Sequence, residues 1–421
     1  MYNIKDIRYR VHLVHYIKQH EMESCHMPSL QRTNSFNWFL FLTVLCIAAN
    51  LRAPITSVGV ALPTIKDALQ LSINEVSLLT ILPLIAFAVV SLYVAKISSY
   101  VGLEKTLFFA LILLLIGIII RSLTTIPALF IGTILIGIGI AFGNVLAPSM
   151  IKAHFASRVG VVTGYYTVVM NIFGGLSSYL TAPLIARHSY PVALGIIGIV
   201  TAGTIIILAL QLRKHSTKMR VADKTAVPIW KSPLAWQITL LMGGQSFIFY
   251  VLINWLPEML LQKGIDTSQS GFYLLVLQIA ILPFTFIMPI IAAKRKNQVG
   301  LLLLTGTLFT LSTVGLALLP ASLILFAIIT LGIASGCAFG LVNTLFTLRT
   351  ESTLTATKLS GMAQAVGYLF AAIGPLFFGL LHEWTGTWTL SLAMLIVISV
   401  LILTVASGAG RNLTIEASLK K

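Results

Sequence analysis

The chain has 421 residues, of which 57% are hydrophobic and only 10% are charged, and its mean hydropathy is +0.96. This composition is too apolar for a water-soluble domain and indicates an integral membrane protein. A net charge of +16 could suggest nucleic acid, but no segment interleaves basic and aromatic residues as a binding module would, so we expect no nucleic-acid partner.

Apolar runs of about 20 residues recur along the chain, and each is long enough to cross a hydrocarbon core of roughly 30 Å as a helix. The alternating pattern of barrel strands is missing. We therefore predict an all-α membrane protein with twelve transmembrane helices. In chain order, predicted spans 1 to 12 cover 38–62, 76–95, 106–123, 126–151, 159–185, 191–212, 235–261, 270–293, 299–319, 323–348, 359–381 and 388–406.

The basic residues favour one side of the membrane. If both termini are cytoplasmic, most of the lysines and arginines fall in the tails and inner loops, as the positive-inside rule requires. Only Lys66, Arg121, Arg187 and Lys263 fall in predicted outer loops. The sequence thus predicts a multi-pass protein of the cytoplasmic membrane with both termini inside.

Internal similarity divides the spans into two halves of six. "TILPL" at 80–84 is echoed by "AILPF" at 280–284, and "AFG" at 141–143 by the same letters at 338–340, an offset of about 200 residues. Two homologous bundles allow a central site to be exposed alternately to each side, which favours a transporter. The predicted segments are a cytoplasmic tail 1–37, a bundle 38–212, a basic cytoplasmic linker 213–234, a bundle 235–406 and a cytoplasmic tail 407–421.

Four motifs resemble those of one family: "NLRAPITSVG" in span 1, "YVGLEKTL" after span 2, "GIAFGNVLAPSMIK" in span 4 and "WLPEML" in span 7. Together with the two basic-looped halves, they resemble the cyanate and 2-nitroimidazole permease-like branch of the major facilitator superfamily. The resemblance covers about Asn37 to Ala406 and implies the major facilitator fold, secondary transport and substrate contacts on the central helices. It does not specify the cargo.

Two departures from the superfamily pattern matter. The loop between spans 2 and 3 has Ala95, Ser99 and Tyr100 where a glycine and an Asp-Arg pair are usual. The residues that form the superfamily's acid–base contact in this loop are therefore missing. The Gly-Pro-rich signature of drug antiporters is missing from span 5, where the sequence reads "NIFGGLSSYLTAP". The resemblance to permeases therefore favours import over export.

Arg52 lies 14 residues beyond Trp38, roughly 21 Å along a helix and near the middle of the membrane. Insertion scales assign about 2.5–3.5 kcal/mol to an arginine near a helix centre, and such residues usually face a cavity or a partner. We predict that the guanidinium binds an anionic or strongly polar substrate through its planar set of donors. The alternative is a structural arginine paired with Glu75, Glu258 or backbone carbonyls.

Pro54 favours the substrate interpretation. Its missing N–H leaves the Asn50 carbonyl without a helical partner and loosens span 1 beside the charge. Asn50 and Arg52 point to nearly opposite sides of a regular helix, so both can line one cavity only if this loosening is real.

Further polar residues lie inside spans 4, 5, 7, 8, 10 and 11. Each alone is equally well explained as a tie between helices, but as a set they favour a small polar pocket. The candidate substrate-binding residues are Arg52, Asn50, Asn144, Asn171, Gln245, Tyr250, Asn254, Gln278, Asn343 and Gln364.

Few acids are available to couple transport to protons. Glu258 is the first candidate and His188 the second; facilitated diffusion and anion exchange are the alternatives. The sequence shows no P-loop, metal-ligand cluster or defensible nucleophile–base pair, so we expect neither an enzyme nor a cofactor or metal site.

The sequence as a whole predicts a monomeric secondary transporter in the lipid bilayer that moves a small polar or anionic solute by alternating access. One rival is a multidrug or nitroimidazole-like exporter, which predicts a wide aromatic cavity and indifference to the charge at Arg52. The other is a non-transporting membrane sensor, which would need a larger soluble domain than the internal polar loops provide.

Overall fold

The computed structural model describes residues 37–214 and 227–419. Leu42–Lys421 form one compact unit, which holds the site described below, and Met1–Phe41 form another, of which the described part is the start of the first helix. The described residues contain twelve helical spans that are long and apolar enough to cross a membrane. The predicted all-α, twelve-span fold is confirmed.

Most of the helices are longer than the apolar runs from which they were predicted, whereas those of spans 9 and 10 are each one residue shorter. Spans 1 and 6 each consist of two helices, and a short helix, Ile415–Ser418, follows span 12. In chain order the helices of spans 1 to 12 are Trp38–Asn50 with Ala53–Leu69, Ile73–Val101, Leu103–Arg121, Ile126–His154, Val159–Arg187, Tyr190–Gly195 with Ile197–Lys214, Pro233–Gln262, Thr267–Lys294, Val299–Leu318, Ile324–Leu348, Thr353–Thr385 and Thr389–Ala409.

Polar caps explain the extra length. The hydroxyl of Ser72 accepts a hydrogen bond from the Glu75 amide at the start of span 2, and the Glu75 carboxylate accepts from the Ser72 amide in return. Ser352 caps span 11 through the Thr355 amide at 3.0 Å. Such caps lie in polar sequence outside the apolar run, so hydropathy alone places the helix ends too far inward.

Close backbone contacts at glycine hold neighbouring spans together. In span 4, a Cβ on Gly132 would lie 2.4 Å from the Arg121 backbone nitrogen of span 3. In span 10, a Cβ on Gly336 would lie 2.4 Å from the Ile281 carbonyl oxygen of span 8. Small residues allow this approach where lipid supplies no hydrophobic drive between helices.

Replacing Gly132 by alanine is expected to lower stability, because the new Cβ would also lie 2.7 Å from the Arg121 Cα and would force the backbones of spans 3 and 4 apart. Overpacking of this kind typically costs about 1–3 kcal/mol. Gly203 is the matched control, since an added Cβ there meets nothing within 4 Å. Thermal unfolding in detergent measures both variants, and equal melting temperatures would contradict the close packing.

Candidate functional site

Span 1 is broken at its centre, beside Arg52. Its first helix ends at Asn50 and its second begins at Ala53, with Pro54 in the first turn. Arg52 lies between the two helices, with φ −123° and ψ −37°. The predicted loosening at Pro54 is confirmed, because Leu51 and Arg52 separate the two helices of span 1.

Neighbouring helices bond to the first turn of the second helix, directly after the break. Ser177 of span 5 donates its hydroxyl proton to the Ala53 carbonyl at 2.9 Å. The Arg121 guanidinium of span 3 donates to the Pro54 carbonyl at 2.7 Å. These two bonds join the start of the second helix to spans 3 and 5, which hold Arg52 at a fixed depth.

Arg121 is therefore not an outer-loop residue, and that prediction is wrong. It is the last residue of the span 3 helix, its side chain points into the protein, and it is 1% exposed. Charge counting placed it outside because it ends a span, whereas its long side chain reaches back to span 1. Its Nε and Nη2 atoms have no hydrogen-bond partner within the described residues.

The half-buried Arg52 side chain is held between an amide and two aromatic rings. Its Nη1 donates to Asn171 Oδ1, and the Asn171 amide is oriented by donating to the Thr167 carbonyl at 2.7 Å. The guanidinium carbon lies 4.8 Å from the centroid of the Phe249 ring and 5.8 Å from that of Phe339. Contacts of a cation with ring faces are worth about 0.5–2 kcal/mol each, so the guanidinium is stabilised without losing its charge.

No carboxylate pairs with Arg52 within residues 37–214 and 227–419. Glu75, one candidate partner, is bonded to the Ser72 amide and hydroxyl, each at 2.8 Å. Glu258, the other, is exposed one turn before the end of span 7. The guanidinium therefore keeps a net positive charge deep within the spans.

A narrow cavity lies beside the guanidinium, between spans 1, 5, 7, 8, 10 and 11. About 400 Å³ between its walls is free of atoms, part of it open to the surroundings. Its polar lining is Arg52, Asn171, Gln245, Ser246, Tyr250, Ser335 and Tyr368, and its apolar lining is Phe249, Ile281 and Phe339. Four of the predicted residues thus come together here, namely Arg52, Asn171, Gln245 and Tyr250.

Sequence reasoning missed the other residues of this lining. Ser246, Ser335 and Tyr368 are hydroxyl side chains in apolar helices, where such residues are common, and the sequence gives no signal that separates them from the rest. The rings of Phe249 and Phe339 look like ordinary core residues until the fold places them against Arg52.

Asn50 does not line the cavity, which corrects the prediction. Its side chain is buried, donates to Thr204 Oγ1 at 2.9 Å and accepts from Thr201 Oγ1 at 2.6 Å. The physical reason is that the break follows Asn50, so this residue keeps its helical direction, opposite to Arg52. Asn50 therefore ties span 1 to span 6.

Five other candidates also lie outside this lining. Asn254 and Asn343 each donate to the carbonyl four residues earlier in their own helix, at 2.7 and 2.9 Å. Gln364 is buried and donates to a serine hydroxyl one turn earlier at 2.9 Å. Asn144 is half-buried and Gln278 is exposed. Local hydrogen bonds within one helix, which the sequence could not distinguish from ligand contacts, account for three of them.

The two candidates for proton coupling are also outside the cavity. Glu258 is exposed in the last part of span 7, and His188 is exposed directly after span 5. Neither side chain is brought near the cavity lining by the fold, because both lie towards helix ends.

Contacts between the end of span 4, the end of span 10 and the start of span 11 close one end of the protein. Lys152 lies at this end. The Lys152 ammonium donates to the carbonyls of Thr347, at 2.7 Å, and Thr350. Thr357 of span 11 donates to the Ser149 hydroxyl of span 4 at 2.8 Å. We call this set the Lys152 latch.

The segment after span 12 folds over the same end. The Glu416 carboxylate accepts hydrogen bonds from the amides of Glu351 and Ser352, at 3.0 and 3.2 Å. The Arg349 guanidinium donates to the Gly410 carbonyl at 2.8 Å, and burial lowers the pKa of Arg349 to about 10. Residues 410–418 thus hold the ends of spans 10 and 11 in place.

Gly174 sets the position of Arg52. A Cβ at Gly174 would lie 3.1 Å from Cδ and 3.3 Å from Cβ of Arg52. Gly174→Val is expected to displace the guanidinium and weaken ligand binding several-fold, because misplaced donors lose their hydrogen-bond geometry. Gly175→Val is the control, since a Cβ there meets nothing within 4 Å. Ligand titration of both variants tests this, and equal affinities would show that Gly174 does not position Arg52.

A helical protein with twelve spans and a polar cavity deep within them belongs by its architecture to the membrane transporters. The sequence model of the Major Facilitator Superfamily matches residues 40–372, and the chain belongs to this family.

The relatives support this assignment. The chain is 38% identical over 399 residues to the uncharacterized transporter YycB of Bacillus subtilis (strain 168), covering 94% of this chain and 99% of the relative. It is 36% identical to the 2-nitroimidazole transporter of Escherichia coli (strain K12), covering 89% and 95% of the two chains. It is 26% identical to the cyanate transport protein CynX of the same organism, covering 87% and 96%. The predicted resemblance to this branch is confirmed.

Solved structures agree on the fold. The proton:xylose symporter XylE, bound to 6-bromo-6-deoxy-D-glucose, superposes with a TM-score of 0.74 at 12% identity, covering 91% of this chain and 98% of XylE. At this identity the likeness concerns the fold alone. The chain is thus a multi-pass transporter of small solutes with the major facilitator fold.

Proposed function

We propose that this protein carries a small anionic solute across the cytoplasmic membrane by alternating access, with Arg52 as the residue that binds the anion. The observation that supports this most directly is the Arg52 guanidinium itself. It faces a cavity, and within the described part of the chain no carboxylate neutralises it.

The energetics favour an anion as the missing partner. A guanidinium deep within the spans has lost much of its hydration, and among the described residues it makes one hydrogen bond, to Asn171. Charge-assisted, often bidentate, bonds to an oxyanion are the strongest interactions an arginine can make. An anion in the cavity would replace the hydrogen bonds and charge stabilisation that the guanidinium lost with its hydration water. The remaining N–H groups of Arg52 are available to bind it.

The size and lining of the cavity favour a small solute. The hydroxyls of Ser246, Tyr250 and Tyr368 and the amide of Gln245 line a narrow space. These residues do not form the wide apolar cavity that would suit lipophilic drugs. The likeness to the cyanate transport protein points in the same direction, because cyanate is a small anion.

The cavity is lined from both proposed halves. Arg52 and Asn171 belong to the bundle 38–212, whereas Tyr250, Phe339 and Tyr368 belong to the bundle 235–406. A ligand that contacts both would draw the bundles together, as alternating access requires. The Lys152 latch joins the same two bundles at one end, and the concentration of basic residues assigns that end, with both termini, to the cytoplasm.

We therefore propose a monomeric carrier in a conformation whose cytoplasmic end is closed. We also propose that the direction of transport is import, because the antiporter signature is missing from span 5. The proposal does not extend to proton coupling, because Glu258 and His188 lie outside the cavity lining.

A planar nitro-heterocycle is the second candidate substrate. The chain is 36% identical to a 2-nitroimidazole transporter, and the Phe249 and Phe339 rings beside Arg52 would stack on such a ring while the guanidinium bonds its nitro oxygens. This ligand is neutral, so its binding would depend less on the charge of residue 52.

A thermal-shift screen of the purified full chain tests the proposal. Cyanate and small carboxylates are compared with 2-nitroimidazole and with an uncharged sugar, since a ligand of the folded state raises the melting temperature by mass action. We expect the anions to stabilise the protein. Stabilisation by 2-nitroimidazole alone would favour the second candidate, and stabilisation by the sugar alone would contradict both.

A further inference from the structure

A second cavity lies at the cytoplasmic end, outside the substrate site. It is bounded by the end of span 2, the start of span 11 and residues 227–230, which precede span 7, and its volume is about 410 Å³. Two lysines line it from different bundles, Lys96 from span 2 and Lys358 from span 11. Neither lysine is used by the transport mechanism proposed above.

One wall of the cavity carries a buried polar group, the Ser91 hydroxyl. Ser91 is 1% exposed and lines the cavity, yet its hydroxyl makes no hydrogen bond to any part of the chain that the structure describes. A buried hydroxyl left unpaired is unfavourable by about 1–3 kcal/mol. Two cations and an unused hydroxyl around one space are the donors that a phosphate group accepts from.

The other residues that line the cavity include exposed aromatic and apolar side chains, as is typical of a surface that faces the membrane. Tyr100 is 81% exposed, and Trp230 and Leu92 are each 48% exposed. Tyrosine and tryptophan concentrate where hydrocarbon meets headgroups. Lysines at that depth on the cytoplasmic side attract the anionic lipids of the inner leaflet. The combination of apolar and cationic walls fits an amphiphile better than a free ion.

We infer that this cavity binds an anionic phospholipid, whose phosphate bridges Lys96 and Lys358 and accepts from Ser91 while its chains lie along Leu92 and Trp230. The lipid would stabilise the conformation seen here, because it holds together two helix ends that must separate when the cytoplasmic side opens. Spans 2 and 11 are already in close contact nearby, where the Phe87 and Tyr368 rings lie 4.9 Å apart.

Native mass spectrometry and thermal unfolding of the delipidated full chain test this inference. We expect phosphatidylglycerol to remain bound and to raise the melting temperature, and phosphatidylcholine to do so much less. The double variant Lys96→Gln with Lys358→Gln is expected to weaken phosphatidylglycerol binding at least tenfold. Ser91→Ala, which changes no charge, is expected to weaken it a few-fold.

The matched control is Lys105→Gln with Lys294→Gln. These two lysines are exposed at the same end of the protein and outside the cavity, so the control loses the same net charge. Equal losses in both double variants would overturn the inference, because they would indicate general attraction to anionic lipid. Binding of free glycerol 3-phosphate as tight as that of the lipid would also overturn it, by assigning the site to a soluble phosphate ester. None of these results depends on the substrate bound at Arg52.

Discussion

Replacing Arg52 by glutamine is expected to weaken binding of a small anion by about ten- to a hundredfold. The variant loses hydrogen bonds to a charged ligand, which are worth about 1.5–3 kcal/mol. Isothermal titration or a ligand-dependent thermal shift, with an anion found in the screen, measures the change. Arg52→Lys keeps the charge but not the planar donors and is expected to lie between the two.

The melting temperature of the ligand-free Arg52→Gln protein separates this effect from misfolding. Because the guanidinium lies deep within the spans and no carboxylate of the described residues pairs with it, its removal is expected to leave the melting temperature unchanged or to raise it. Arg187→Gln is the matched control, since Arg187 is exposed at the end of span 5 and its loss changes the net charge equally. A folded Arg52→Gln protein that binds the anion as well as Arg187→Gln would refute the proposed role.

Replacing Lys152 by methionine is expected to open the end of the protein at which the Lys152 latch lies. The ammonium of span 4 donates to two carbonyls at the end of span 10 and just after it, those of Thr347 and Thr350, and Glu351 and Glu416 are close enough to attract it. Loss of a charged donor of this kind is worth about 1.5–3 kcal/mol, which corresponds to a shift of tenfold or more in a two-state equilibrium.

Thiol labelling with a reagent applied to the side of the membrane that carries Lys152 measures that opening. Thr357 is fully buried beside Ser149 in the latch, so a Thr357→Cys reporter in a background without Cys25, Cys46 and Cys337 reacts only when the end opens. We expect its labelling rate to rise several-fold with Lys152→Met and to stay constant with Lys105→Met, a substitution at an exposed lysine of the same end. An unchanged rate in both would show that Lys152 does not hold the end closed.

Hydropathy was sufficient for the number and order of the spans, because each helix carries one long apolar run. It could not place the helix ends, since these depend on caps such as Ser72 and Ser352 in polar sequence. It could not show that span 6 is two helices, because the interruption at Ile196 involves neither proline nor charge.

The sequence predicted the site only at the residue whose burial in the membrane is energetically unfavourable. Arg52 was identified because a charged residue within a membrane span is energetically unfavourable unless it has a partner or a function. The break beside it was predicted from Pro54, which lacks a backbone N–H. Asn50 and Asn254 could not be separated from Asn171 by sequence, because an amide that bonds its own helix and one that orients an arginine differ only in tertiary surroundings. Arg121 was misplaced for the same reason, since a side chain at a helix end can point either way.

The folded segment after span 12 bears on how this protein should be handled. A reporter joined directly after Ala409 would remove Gly410, the acceptor of Arg349, and Glu416, the carboxylate that caps span 11. Such a fusion would disturb the closure of this end of the protein and be mistaken for a defect in substrate handling, whereas an affinity tag placed beyond Lys421 leaves both contacts in the chain.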